Sequence, residues 1–468
     1  MRVENLIKSF FIYGLTSGLS RFISLLLIPV YVRVFSESEN GIIDMIQTMC
    51  QVFLVFGMLQ LETSIQRYYY ELDTKKRRRM ISTVLIFTTF MSAFGSLLLC
   101  LLAKKISFFF FKQMGYSLEI MIASWIIPFL NMSILNFIVL RYLKKSFVFS
   151  IVTFFQVLLT TSLVLFFVFK LSLGIKSVFL GQLFGYIVIV AAQFYFLRRE
   201  FVWCFDLSIL KEMLHYSIPQ FPARIGSEST ARINRFILVT FLSTSSLGLY
   251  AVAVKFSSAL ELINVAFSMA WVPYMYESLK SGSYQIKFRY IYSLALYTTF
   301  FLVTFVSLFS TEIVTFFTVP SYYKIKFLLP GLFLFNGLFI IKGIVDIGIA
   351  ISKRMIYLTY IYLSVAVLNV SFLLIGINVF GLKGVVYSLI FTNFFLILFS
   401  WYFTERLHYI GFEIKKFILF YVIIFIITII QMNIEIPLIH RVLSALILCV
   451  LFGIYVYKQK KIWKKLLF

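Results

Sequence analysis

The chain has 468 residues, of which 61% are hydrophobic and 13% charged, with a net charge of +24 and a mean hydropathy of +0.96. Soluble domains carry about a quarter charged residues, so this chain cannot cover itself with polar surface, and a soluble class is excluded. The positive excess fits basic loops on one side of a membrane better than nucleic-acid binding.

Taken in order, apolar runs predict fourteen transmembrane helices, near 6–34, 41–70, 80–103, 117–140, 148–169, 177–197, 209–242, 246–276, 286–309, 327–350, 355–376, 382–403, 414–432 and 438–457. Each is long enough for about 30 Å of hydrocarbon. The first continues past Val32, too long for a cleavable signal. It carries Arg21 on a face with Gly14, Ser17 and Ser24. The second lines one side with Asp44, Gln47, Thr48, Gln51, Glu62 and Gln66. The run KKRRR at 75–79 then reads as a cytoplasmic stop signal.

With the N-terminus placed inside, the 43 lysines and arginines divide into 26 in cytoplasmic segments, 10 on the opposite side and seven within spans. That bias predicts both termini in the cytoplasm and an even number of spans. The basic tail KQKKIWKKLLF is expected to lie on the anionic inner leaflet. Cys50, Cys100, Cys204 and Cys449 are scattered without metal-ligand spacing, so neither a metal site nor a disulfide framework is expected.

Two stretches recur at an offset of 207 residues. FSESENGIID (35–44) resembles FLSTSSLGLY (241–250), pairing Gly41 with Gly248. GIKSV (174–178) resembles GLKGV (381–385), pairing Gly174 with Gly381. A shared offset predicts two six-helix lobes, 1–205 and 206–405, related by a parallel repeat, with two further helices and a basic tail over 406–468. Such lobes would enclose a cleft usable for alternating access.

The seventh span contains RIGSESTARINRF (224–236). At about 100° per residue, Arg224, Glu228, Arg232 and Arg235 fall near 0°, 40°, 80° and 20°, one face about 16 Å long. Pro219 and Pro222 precede it and predict a bend. A central arginine facing lipid costs roughly 2.5–3.5 kcal/mol, so these must face water, a partner or a ligand. Elsewhere, Lys255 and Glu261 lie in the eighth span, and Lys342 and Asp346 lie four apart in the tenth. Seven intramembrane cations, with Arg67 the last of them, face five acids: Asp44, Glu62, Glu228, Glu261 and Asp346. They either line a hydrated, net-positive cleft or form buried structural pairs, and the surplus of cations favours the cleft. Arginine's planar fork suits phosphate oxygens. Arg21, Arg224, Arg232, Arg235, Lys255 and Lys342 are therefore the candidate anion ligands. Glu62, Glu228, Glu261 and Asp346 are candidates for ion coupling or ion pairing.

The opening NLIKSFFIYGLTSGLSRFISLLLIPVYVRVFSESENGIIDMIQT resembles that of bacterial polysaccharide-repeat-unit flippases. These belong to the multidrug/oligosaccharidyl-lipid/polysaccharide exporter superfamily. HYSIPQFPARIGSESTARINRFILVTFLSTSSLGLYAVAVKFS resembles the second half of that family, with its Tyr-Ser-x-Pro start, an Arg-Phe-hydrophobic element and Gly-x-Tyr opening the next helix. One departure is Asn234, where members commonly have Asp before the Arg-Phe. The resemblance covers essentially the whole chain. It implies O-antigen- or capsule-type transport of an undecaprenyl-pyrophosphate-linked oligosaccharide from the inner to the outer leaflet of the cytoplasmic membrane. It also implies membrane lipids and other polysaccharide-assembly proteins as partners, and no cofactor. Two further functions compete. A cation-coupled multidrug exporter would need intramembrane acids in excess, and here cations exceed them. A polysaccharide polymerase or ligase would carry a sizeable external catalytic loop, and none is predicted. His215, His408 and His440 are isolated, and no ATP-binding loop occurs, so an enzyme is not expected.

Overall fold

The computed structural model describes residues 18, 23, 27–279, 284–352, 354 and 356–467. Among these, all regular structure is helical. Eleven helices are long and apolar enough to cross a membrane: 37–58, 74–111, 117–142, 146–169, 176–197, 284–308, 329–351, 356–380, 382–407, 414–433 and 438–458. A pair bent by 41°, Thr244–Ser257 and Ala259–Ser268, makes a twelfth when the two are counted as one span. The fold is an all-α multi-pass membrane protein, as the sequence predicts. Of the two other predicted spans, 6–34 lies mostly outside the described residues. The other, 209–242, is helical but broken, and four charged side chains keep its second part from being an apolar span.

Two compact units divide the chain. One holds Phe35–Gly248; the other holds Ile28–Val34 with Leu249 onward. The short helix α1 (Ile28–Val34) thus groups with the second unit.

In the first unit, α2 (Glu37–Met58) starts with a capping box, Ser36 accepting from the Glu39 N–H and Glu39 accepting from the Ser36 N–H. Then come α3 (Leu61–Tyr68), α4 (Thr74–Phe111, capped by Asp73), α5 (Ser117–Ser124) and α6 (Ile126–Tyr142). A buried cluster including Leu61, Ile65, Val84, Leu135, Ile138 and Met213 joins these helices to α9 (Leu207–Ser217). The Ser64 hydroxyl donates to the Met213 carbonyl across that contact, 2.7 Å. The hairpin of α7 (Ser146–Phe169) and α8 (Lys176–Leu197) completes the bundle. Only 11% of the α7 span is buried, and Phe147, Phe154, Phe155, Leu158, Phe166 and Phe169 face outward. The two prolines sit where the helix is interrupted: Pro219 falls in a 3-10 turn, Ile218–Gln220, and Pro222 lies in the first turn of α10 (Phe221–Phe241).

The start of α11 (Thr244–Ser257) crosses the start of α2 with a local two-fold relation. A Cβ on Gly41 would overlap the Thr244 carbonyl, and one on Gly248 would overlap the Glu37 carbonyl. Ser38 Oγ lies 2.8 Å from Thr244 Oγ1, while Ser245 Oγ donates to Glu37 Oε2 at 2.5 Å. Each contact maps onto the other by the 207-residue offset. Small residues are required where helix backbones approach this closely.

The second unit continues with α12 (Ala259–Ser278), α13 (Tyr284–Leu308), α14 (Ser310–Phe317), a 3-10 stretch Pro320–Phe327, α15 (Leu329–Val345) and α16 (Ile347–Ile351). The α15–α16 span is its centre, 78% buried. It is flanked by the hairpin of α17 (Ile356–Phe380) and α18 (Leu382–Leu407), then by α19 (Ile414–Asn433) and α20 (Leu438–Leu467). The Asn393 amide donates to the Phe335 carbonyl, and the Thr404 hydroxyl to that of Val345. The second repeat match reappears as conformation. Gly174 before α8 and Gly381 before α18 both have φ +57°, a region that favours glycine.

Candidate functional site

The charged stretch predicted on one helical face is α10, and the face exists. Glu228 bridges two arginines of its own helix. Arg224 Nη2 lies 2.9 Å from its Oε1, and Arg232 Nη2 lies 2.6 Å from its Oε2. Spacing of four residues on either side makes this bridge possible. Arg232 Nε adds a second bond to the same oxygen at 2.7 Å. Arg235 instead reaches a different helix, donating from Nε to Asp44 Oδ2 of α2 at 2.7 Å.

Exposure separates these groups. The Arg224 side chain is 43% exposed, whereas Arg235 and Asp44 are 16% and 12% exposed. Glu228 and Arg232 line a cavity of about 180 Å³ between α2 and α10, with Gln51 as a further polar wall. Val52, Val55, Phe56, Ile225, Ile233 and Phe236 form the rest. Glu62, on α3, lies within electrostatic reach of Arg224. One of its oxygens is buried without a hydrogen-bond partner. Asn234, the departure from the family pattern, is buried, and its amide group has no hydrogen-bond partner. Three guanidinium groups thus meet two directly paired carboxylates, Glu228 and Asp44.

The second unit holds another charged group. The Lys342 ammonium donates to Asp346 Oδ2 at 2.6 Å and to the Tyr362 hydroxyl at 2.7 Å, lying 4.7 Å from that ring. Asp346 sits at the break between α15 and α16, with its second oxygen buried and unpartnered. Lys255, at the end of α11, lies 5.0 Å from the Tyr31 ring of α1. Glu261 is half-buried in the first turn of α12. Arg67 pairs with Glu71, both well exposed. Arg21 lies outside the described residues.

The structure therefore gathers Arg224, Glu228, Arg232 and Arg235 with Asp44 and Glu62 in one unit, and Lys342 with Asp346 in the other. Tyr362 and Tyr31 are partners that sequence reasoning missed. Each lies on a different helix from its lysine, and no spacing rule points to it. The buried polar chain Asn264–Asn336–Ser257 was missed too. Asn264 donates to the Asn336 carbonyl and Asn336 to the Ser257 hydroxyl.

Residues 6–279, more than half of the chain, match the family described as polysaccharide biosynthesis protein. The chain belongs to that family. Among curated proteins, this family member is similar to an uncharacterized membrane protein of Haemophilus influenzae. The two are 24% identical over 378 residues, which cover 76% of this chain and 89% of that one. Among solved structures, it is similar to the lipid II flippase MurJ in an inward closed conformation. The TM-score is 0.73 at 16% identity, covering 96% of this chain and 99% of MurJ. An inward-facing multidrug resistance MATE transporter of the MOP superfamily gives a TM-score of 0.65 at 14% identity, covering 82% and 94%. A Pyrococcus furiosus transporter of that superfamily, described as having a binding pocket of reversed polarity, gives 0.55 at 13%, covering 86% and 96%. At these identities the likeness is one of fold. This polysaccharide biosynthesis protein has a MurJ- and MATE-like transporter fold.

Proposed function

We propose that this protein is a flippase carrying an undecaprenyl-pyrophosphate-linked oligosaccharide repeat unit, of O-antigen or capsule type, from the inner to the outer leaflet of the cytoplasmic membrane. The observation that carries the reading is the α10 face, where Glu228 holds Arg224 and Arg232 and, together with Arg232, lines a cavity. An intramembrane cation is a functional-site hypothesis by default. The planar guanidinium fork matches phosphate oxygens better than a point charge does. Membership of a polysaccharide biosynthesis family supplies the class of cargo. Arg224, Arg232 and Arg21 would hold the pyrophosphate while the polyprenyl tail stays in lipid. Lys255 would add positive potential in the second unit, whereas Lys342, paired with Asp346 and Tyr362, would add little. Both termini would face the cytoplasm, and the lobes 1–205 and 206–405 would alternate the exposure of the binding face. Gln51, on the wall of the same cavity, offers a neutral hydrogen-bonding partner for a sugar hydroxyl.

The test is mass analysis of lipid-linked sugars in a deletion strain. Accumulation of an undecaprenyl-pyrophosphate oligosaccharide, cleared by the wild-type gene and not by Arg224→Ala expressed at the same level, is expected. Drug sensitivity without any such accumulation would replace the reading with a multidrug exporter.

A further inference from the structure

We propose that Glu228 is a resident counter-anion, displaced from Arg224 and Arg232 by the phosphates of the cargo and expelling them when it returns. The inference rests on the phosphate-recognition reading above and adds to it a means of release.

Both oxygens of Glu228 are engaged, Oε1 by Arg224 and Oε2 by Arg232. The carboxylate therefore occupies the position that a bridging phosphate group would take between the two guanidinium forks. It carries less charge and fewer acceptor oxygens than a diphosphate, so the diphosphate is the stronger ligand for the same pair. The pairs that the exchange breaks lie within one helix, because all three side chains belong to α10. The neighbouring pair differs in this respect. Arg235 and Asp44 tie α10 to α2, are more enclosed, and would cost an interhelical contact if opened. Glu228 also lines the cavity, so space for its displaced side chain and for an incoming anion is already present.

A carrier with two unpaired arginines would bind a diphosphate and hold it. Binding must be favourable enough to load and weak enough to unload. An internal competitor supplies that balance. The apparent affinity falls by the fraction of time the arginines are unoccupied, and removing the competitor restores it.

The experiment uses the purified full-length protein and inorganic pyrophosphate as the probe, with affinity read by calorimetry. Glu228→Gln and Glu228→Ala are expected to bind pyrophosphate at least about tenfold more tightly than wild type, while complementing a deletion strain poorly. In wild-type protein, adding pyrophosphate is expected to shift a glutamate carboxylate stretch in the infrared difference spectrum, a readout that needs no variant to fold. Equal or weaker binding by both variants, or an unshifted carboxylate band on saturating wild type, overturns the exchange and leaves phosphate recognition standing. Absence of pyrophosphate binding by every protein overturns both.

Discussion

The arginine face of α10 and the Lys342 group are both charged assemblies in a membrane protein, yet they are built oppositely. Around Glu228, one carboxylate serves two cations on a single helix, and Arg224 remains substantially exposed. Around Lys342, one cation is served by a carboxylate and a phenol from two helices, and the lysine is buried. The first arrangement leaves positive charge accessible beside a cavity; the second consumes its charge in holding α15 against α17. Charge in a membrane span therefore does not by itself mark a binding site. What distinguishes the two is whether the pairing partner also carries packing.

Stability and transport should separate along that line. The largest expected effect is on the buried pair. Asp346→Ala strands the Lys342 ammonium and should destabilise the protein by about 3–5 kcal/mol, read as a large drop in thermal unfolding temperature in detergent. The double variant Lys342→Met/Asp346→Leu should recover much of that loss, because an apolar pair of similar volume replaces the ions. Arg224→Ala should do the reverse. A partly exposed i,i+4 pair contributes only about 0.3–0.5 kcal/mol, so melting should barely move, while complementation of a deletion strain should fall about ten- to a hundredfold with loss of a charged hydrogen bond to cargo. If Arg224→Ala melts as early as Asp346→Ala, the two assemblies are alike and the contrast fails.

Smaller changes sharpen the comparison. Tyr362→Phe removes one hydrogen bond to a charged group and should cost about 1.5–3 kcal/mol, visible in melting and not in cargo binding. The surface tie between Lys326 and Glu435, 2.5 Å long with Glu435 largely exposed, sets the baseline. Lys326 holds the Glu435 carboxyl below its usual range. That contribution is present above the ordinary carboxylate pKa and fades as pH falls through the lowered one. Glu435→Gln should change stability by less than about 1 kcal/mol.

The α10 bridge was legible in the sequence because its members are four residues apart and helical periodicity alone brings them together. The Arg235–Asp44 tie was not, since its partners are 191 positions apart and sequence alone does not tell which helices pack. Tyr362 was invisible for the same reason. The proline break before α10 could be read, because proline removes a helical donor wherever it sits. The break at Trp125, which divides the predicted fourth span into α5 and α6, has the same kind of marker in Pro128, whose missing N–H leaves the Ser124 carbonyl to accept from the Ser96 hydroxyl. Both glycines of the duplicated turn were found as letters. Their common left-handed backbone needed coordinates.

The reciprocal crossing at Gly41 and Gly248 has a bearing on which side chains it tolerates. An isologous contact, in which residue i meets j and j meets i, is what a pair of identical chains makes about a two-fold axis. Here it is made within one polypeptide, by segments 207 positions apart. Because each backbone approach is the counterpart of the other, a side chain added at either Gly41 or Gly248 would push the same two helix starts apart. The side chains around the crossing break its symmetry, since Ser245 meets the Glu37 carboxylate where Ser38 meets the Thr244 hydroxyl.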